Sequence, residues 1–200
     1  MLGLPKSTEL NKQLPKKAIY AKFQMNPAEK AKIDGDISRI TIVNEVSSDK
    51  LHIGEGEQVK SFFVLLVSLK RKDFAEKTII TISKLIAQNL LLVLECGEEA
   101  KLAVYHTKLM QTDWRATDTL SLEIKGLNMD AVWENVIVQV GGMTIDQGNT
   151  LDEQIAADER KAKLEKEITR LEKLARAEKQ PKKKFELSQQ INKLKKELEV

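Results

Sequence analysis

The sequence predicts a mixed α/β (or α+β) core domain followed by an antiparallel helical hairpin of the coiled-coil type. β-branched and apolar runs alternate with helical patterns up to residue 142, as is typical of helices packed on a mixed sheet. Two heptad-spaced apolar series then lie on either side of Pro181. We therefore expect a core domain over residues 1–142, a linker over 143–150 and the hairpin over 151–200.

The first 35 residues predict short helices. Ser7 or Thr8 would cap a first helix, and Pro15 would end it and begin a second. Asn26 followed by Pro27 repeats the pattern, because asparagine is a good N-cap and proline suits the first helical position. The chain is thus expected to enter its sheet only after these helices.

From Asp36 the pattern changes to that of strands. The β-rich runs predicted as strands are ISRITIVNEV at 37–46, VKSFFVLLVSL at 59–69 and NLLLVLE at 89–95. The second run is apolar on both faces and is therefore expected at the centre of the sheet. The turn Cys96-Gly97-Glu98 predicts a hairpin with the run AKLAVYHTK, and one more strand is expected near Leu120–Ile124.

Two further helices complete the predicted core. Asp73 would cap a helix from Phe74 to about Ala87, and Asn128 would cap a final one that Gly141-Gly142 ends. Their apolar faces would be Ile79, Ile82 and Ile86 in the first and Val132, Val136 and Val140 in the second.

The tail carries an apolar seam on two arms. On each arm the apolar residues are spaced 4, 3, 4, as in a coiled coil. The seam residues are Leu164, Ile168, Leu171 and Ala175 on the first arm and Leu187, Ile191, Leu194 and Leu198 on the second. Because a proline inside a continuous helix costs about 3 kcal/mol, Pro181 favours a reversal of the chain with its turn at Lys179–Lys183.

The turn would expose three consecutive lysines, Lys182, Lys183 and Lys184. They are candidate nucleic-acid-binding residues, because exposed lysines attract phosphate or an acidic partner. The sequence favours a second explanation, which is solvation of a turn with some stabilisation from lysines placed near a helix C-terminus. Because two narrow seams bury little surface, we hypothesise that the hairpin is an assembly device whose seam holds a partner or a second copy.

The net charge of +3 conceals a segregation along the chain. The balance is +5 over residues 1–32, −5 over 33–150 and +3 over 151–200. Basic ends can contact nucleic acid, dock on the acidic middle or remain solvated.

Most patterns that carry chemistry are missing from the sequence. GEGEQ at 54–58 lacks the spacing of a phosphate-binding loop. His52, His106 and the single cysteine, Cys96, do not have the spacing of zinc ligands. We therefore expect no metal, no cofactor and no internal disulfide.

One enzymatic alternative stays open, a metal-dependent nuclease. Glu123 and Lys125 have the acid-x-lysine spacing that places both side chains on one face of a strand. Glu95 or Asp113 could supply a second carboxylate for a divalent ion. Ordinary paired charges on an exposed strand would give the same triplet, so the sequence favours a protein that is not an enzyme.

The apolar runs are short throughout. The opening MLGLPKSTELNKQ lacks the apolar core of a signal peptide, and runs such as FFVLLV are too short to span a bilayer. We expect a cytoplasmic protein that does not enter a membrane.

Three stretches of the chain stand out together. They are the opening LPKSTELNKQLPKK, the middle LLLVLECGEEAKLAVYHTK with TDW after it, and GLNMDAVWENVIVQ before the tail. Together they resemble a bacterial family of small proteins of unknown function, most specifically at residues 4–9 and 126–132. Members of that family look like companions of helicase-like and DNA methyltransferase proteins in type III restriction-like defence loci.

The resemblance implies an accessory role and supplies no catalytic residues. We therefore expect a non-catalytic accessory subunit of a restriction-like, anti-phage defence system that mediates assembly and contacts DNA. Its expected partners are helicase-like and DNA methyltransferase proteins. The alternatives are the nuclease-like domain and a coiled-coil homodimer with a regulatory core.

Overall fold

The computed structural model describes residues 2–84 and 87–198. The chain divides into two compact units, Met1–Thr144 and Ile145–Val200. We call them the sheet domain and the hairpin unit. None of the helices that the structure describes is long and apolar enough to cross a membrane.

Within the described residues, the sheet domain contains a seven-stranded mixed sheet. Its strands are β1 (Glu9–Leu14), β2 (Ile37–Ser47), β3 (Ser61–Leu69), β4 (Asn89–Cys96), β5 (Glu99–Tyr105), β6 (Leu109–Gln111) and β7 (Arg115–Ala116). The order across the sheet is β1-β2-β3-β4-β5-β6, and β7 also pairs with β5. The pair β3–β4 is parallel and the other pairs are antiparallel. The predicted α/β class with a mixed sheet is therefore confirmed, as is the central position of the second predicted strand.

The helices surround this sheet and form the tail. They are α1 (Lys16–Lys22), α2 (Pro27–Asp36), the single turn α3 (Ser48–Leu51), α4 (Glu76–Ser83), α5 (Met129–Gly141), α6 (Leu151–Ala177) and α7 (Pro181–Leu198). The predicted caps are present at two of them. The Asn26 side chain accepts from the Glu29 N–H in a capping box, and the Asn128 side chain accepts from the Ala131 N–H. Gly142, at φ 60°, ends α5 as predicted.

The core lies on both faces of the sheet. On one face α1, α2 and α4 contribute Ile19, Ile33 and Ile79 to a cluster that includes Leu65 and Leu92. On the other face, the α5 ring of Trp133 packs against Phe62 of β3, with 5.1 Å between ring centroids. The sheet is therefore covered on both sides, which explains why β3 and β4 are apolar along nearly their whole length.

The first predicted helix is wrong. Residues 9–14 form β1, which pairs antiparallel with β2 at the edge of the sheet. Thr8 is not a cap, since its buried hydroxyl donates to the Pro5 carbonyl and accepts from the Asn44 side-chain amide. Pairing with the exposed edge of β2 outweighs the local preference for a helix.

The strand predicted near Leu120–Ile124 is also absent from the described residues, which hold only an isolated bridge there, from Leu2 to Ser121. Glu123 forms its backbone hydrogen bonds with the Gln139 side chain of α5 instead of a neighbouring strand. The short strands β6 and β7 pair with β5 in its place.

The predicted helix over residues 74–87 is shorter at its start than expected. It begins at Glu76, and Asp73 does not cap it. The first turn is held by Asp36, whose carboxylate pairs with Arg71 and accepts from the Ala75 N–H. Ile79 and Ile82 are buried as predicted, whereas Ile86 lies outside the described residues.

Candidate interaction surface

The heptad seam closes within a single chain. Helices α6 and α7 pack together as the predicted hairpin, and Ile168, Leu171, Ala175 and Ile191 are buried between them. The other predicted seam positions, Leu164, Leu187, Leu194 and Leu198, are half-buried. An ion pair from Lys195 to Glu172, 2.8 Å long, joins the helices at the edge of the seam. The seam therefore stabilises the hairpin itself, because its buried side chains pack against each other.

The reversal at the proline is tighter than predicted. Helix α6 ends at Ala177 and α7 begins with Pro181 as its first residue, so the break covers residues 178–180 rather than 179–183. The Glu178 carboxylate accepts from the Gln180 N–H at 2.9 Å. Pro181 therefore starts the second helix, a position in which its missing N–H costs nothing.

The three lysines are helical residues. Lys182, Lys183 and Lys184 occupy the first turn of α7, and all three are exposed. Lysines are unfavourable at a helix N-terminus because they face the positive end of the helix dipole. The explanation that lysines help to end a helix is therefore wrong here, since such help applies at a C-terminus.

Consecutive helical residues point in different directions. At about 100° per residue, three adjacent lysines spread over about 200° of the helix surface. Lys183 lies beside a cleft that Leu174 and Leu187 line, and no acidic residue stands in the first turn of α7. The three lysines therefore raise the positive charge around the tip without forming one flat patch.

Two large apolar side chains are exposed on the same hairpin. Phe185 is 64% exposed and directly follows the lysines, and Leu174 is 47% exposed near the end of α6. Neither contributes to the seam cluster. Together with the neighbouring lysines, these two side chains make this end of the hairpin a candidate interaction surface.

The residues of the nuclease alternative do not form the geometry it requires. Glu123 and Lys125 pair with each other, are both 65% exposed, and lie outside any strand. Glu95 is in β4, where it accepts from the Ser68 hydroxyl at 3.4 Å, and Asp113 lies in the loop after β6. Within residues 2–84 and 87–198, no three His, Cys, Asp or Glu side chains are grouped as a metal ion would need.

The segment at 126–132 has a structural role at the start of α5. The Asp130 carboxylate accepts from the N–H groups of Glu57, Gln58 and Val59, at 2.6, 3.1 and 2.7 Å. Gly54 exchanges backbone hydrogen bonds with Leu127 and Met129. We call this set of bonds the 54–59 loop contact, and it fixes the GEGEQ loop, which lacks the spacing of a phosphate-binding loop.

The opening segment at 4–9 is also structural. Beside the buried Thr8 bonds, the Ser7 hydroxyl donates to the Lys50 carbonyl. Both of these segments therefore join elements that are distant in the sequence.

The 54–59 loop contact depends on pH in a predictable direction. The Val59 N–H first, then those of Glu57 and Gln58, lower the pKa of the Asp130 carboxyl below its usual value. A carboxyl with a lowered folded pKa contributes stability above its unfolded pKa of about 3.9, and this stability is lost as the pH falls through the folded pKa.

We predict that Asp130→Asn lowers the urea midpoint at pH 7 and that the difference from wild type shrinks as the pH falls toward 2. Tryptophan fluorescence across a pH series measures it. A difference that stays constant with pH would contradict the ionic role of this carboxylate.

One side-chain cluster was missed by the sequence analysis. The ammonium groups of Lys72 and Lys101 lie over the Trp114 ring, 5.5 and 5.1 Å from its centroid, and Lys101 also lies 4.9 Å from the Phe74 ring centroid. Burial lowers the pKa of Lys101. These residues come from β5 and from two loops, so only the sheet topology brings them together. In the sequence, the only sign of this cluster was Trp114 within the motif TDW.

Comparison with known proteins identifies a family. The family model described as Domain of unknown function (DUF4391) matches residues 2–198, almost the whole chain. No curated protein and no solved structure matches it.

Proposed function

The chain belongs to the DUF4391 family, and we propose that it is a non-catalytic accessory subunit of a restriction-like, anti-phage defence system. In this proposal the hairpin unit mediates assembly with other subunits and also contacts DNA. The observation that carries the proposal is the hairpin unit itself. It is a compact unit with its own seam, and its tip combines exposed lysines with the exposed Phe185.

In the sheet domain, several carboxylates form structural hydrogen bonds and ion pairs, which supports a binding role over a catalytic one. Asp130 and Asp36, two carboxylates that could have served chemistry, are bonded to backbone N–H groups, and Asp36 also pairs with Arg71. Glu123 and Lys125 pair with each other on the surface. These bonds stabilise loops and helix starts, so the polar groups in question act in folding.

The choice of partners rests on the resemblance of residues 4–9 and 126–132. Helicase-like and DNA methyltransferase proteins are the partners that this resemblance implies. A subunit that joins such enzymes needs a docking element and a positively charged surface near DNA, and the hairpin supplies both in one unit.

Capture from the native host tests the proposal. Tagged full-length chain and a tagged chain ending at Thr144 would be produced at equal levels, and the captured proteins compared by quantitative mass spectrometry. We expect helicase-like and methyltransferase proteins with the full chain and at least a tenfold loss of both with the shortened one. Equal capture by both chains would refute assembly through the hairpin.

A further inference from the structure

We infer that α7 binds duplex DNA along its outer face, with the helix lying in the major groove. The surface consists of Lys182, Phe185, Gln189, Asn192, Lys193 and Lys196, which we call the outer stripe. This inference deepens the DNA contact of the proposed function, on which it rests, and moves that contact from the tip to the length of one helix.

The outer stripe is opposite the seam. At about 100° per residue, its six members fall within an arc of about 100° centred on the side facing away from Ile191. All six are exposed, and Phe185 is 64% exposed. Because the seam side of α7 is occupied by α6, this is the face that α7 offers to another molecule.

The charge of the stripe has one sign. Three of its members are lysines and none is acidic, while Glu186 and Glu197 lie on the flank of the helix. None of the six side chains forms a hydrogen bond or an ion pair with another described residue. By contrast, Arg170 on α6 is held by Glu167 through bonds of 2.9 and 2.7 Å. The lysines of the stripe are therefore available to an external anion.

The spacing of the stripe fits the major groove. Lys182 and Lys196 are 14 positions apart in the sequence, or about 21 Å along a helix, and the groove is about 12 Å wide. The end lysines can thus reach the two phosphate backbones on either side of the groove. Gln189 and Asn192 lie between them, and their amides match the donor and acceptor pattern of adenine.

The composition of the stripe also favours duplex over single-stranded nucleic acid. Proteins that bind single strands stack successive bases on several aromatic rings. The stripe contains one ring, Phe185, which suits an apolar contact with a thymine methyl group. An α-helix is the element that many DNA-binding proteins place in the major groove, and amide and lysine side chains are among those that read or contact it.

Salt dependence and matched triple variants test the inference. Fluorescence anisotropy would measure binding of the full chain to a labelled 20-base-pair duplex and to one of its single strands. If three lysines each neutralise one phosphate, affinity for the duplex falls about 40-fold between about 50 and about 200 mM salt. The variant K182E/K193E/K196E should lose at least tenfold in duplex affinity and most of this salt dependence.

The control carries the same charge change on the other helix. K163E/K166E/K173E alters three exposed lysines of α6, and we expect duplex affinity within about threefold of wild type. The neutral variant K182Q/K193Q/K196Q, checked for helicity by circular dichroism, should lose affinity without added repulsion. This second variant keeps the test valid if the charge-reversed chain does not fold.

Several results would overturn the inference. They are equal losses in both triple variants, an unchanged affinity in the stripe variant, tighter binding to the single strand, and no DNA binding by the wild-type chain. If K183E/K184E weakens duplex binding and the stripe variant does not, DNA contact at the tip is supported and binding through the outer stripe is refuted. The capture experiment with the shortened chain tests the proposed function, and the DNA-binding measurements test the stripe. The failure of one proposal is therefore distinguishable from the failure of the other.

Discussion

Gly126→Ala should destabilise the sheet domain by at least about 2 kcal/mol. Gly126 has a φ of +144°, a region that residues with a Cβ rarely adopt. A Cβ at this position would also lie 2.6 Å from the Val132 nitrogen and 2.9 Å from the Ala131 carbonyl carbon. The backbone strain costs about 1–3 kcal/mol, and the steric overlap of the Cβ with these backbone atoms adds a similar cost. The stability of a typical domain is only about 5–15 kcal/mol.

The effect should reach the 54–59 loop contact, because Gly126 immediately precedes the residues that form it. Urea unfolding followed by the fluorescence of Trp133, which lies in α5, measures the change. Gly35→Ala is the matched control. Gly35 is in α2, has no positive φ and has open space where a Cβ would be, so alanine should stabilise by up to about 1 kcal/mol. A Gly126→Ala midpoint equal to wild type would contradict the close approach described here.

Ile191→Asp should open the hairpin and leave the sheet domain folded. Ile191 is 8% exposed and belongs to a cluster with only three other buried members among the described residues. Removing such a side chain costs about 2–5 kcal/mol, and an unpaired carboxylate adds to that cost. An 18-residue helix without its seam is marginal in water, so α7 should lose most of its helical content.

Two spectroscopic signals separate the effects. Far-UV circular dichroism reports the helices of the hairpin, whereas both tryptophans, Trp114 and Trp133, belong to the sheet domain. We expect a lower ellipticity at 222 nm and an unchanged tryptophan emission spectrum. Phe185→Asp places the same residue on the exposed side of α7 and should change neither signal. Loss of ellipticity in both variants, or in neither, would contradict the assignment of the seam.

Much of the fold follows from local patterns in the sequence. The apolar runs of β3 and β4 predict buried central strands because both faces of these strands are covered. The caps at Asn26 and Asn128 are predicted because they need only a side chain and a backbone N–H three residues away. The seam of the hairpin is predicted because its spacing of 4 and 3 is a property of the helix itself.

Elements that depend on distant partners could not be predicted. Residues 9–14 became an edge strand because β2 offered unpaired backbone groups, and the sequence of β1 contains no strand pattern of its own. Asp36, and not the expected Asp73, holds the start of α4 across a long sequence distance. The outer stripe could be recognised only once the face of α7 that forms the seam was known. Without that, the sequence predicts the three adjacent lysines as one group, although they point in different directions on the helix.

The central claim is that the hairpin serves docking. It is tested most directly in the full-length chain by Ile191→Asp paired with Ser188→Asp, since Ser188 is exposed on α7 outside the seam and the outer stripe. Each variant and the wild type would be tagged and captured from the native host, and the helicase-like protein quantified per captured chain. The account predicts at least a tenfold loss with Ile191→Asp and a loss below about twofold with Ser188→Asp. Equal amounts of the helicase-like protein with wild type and Ile191→Asp, while circular dichroism shows the hairpin opened, would contradict it.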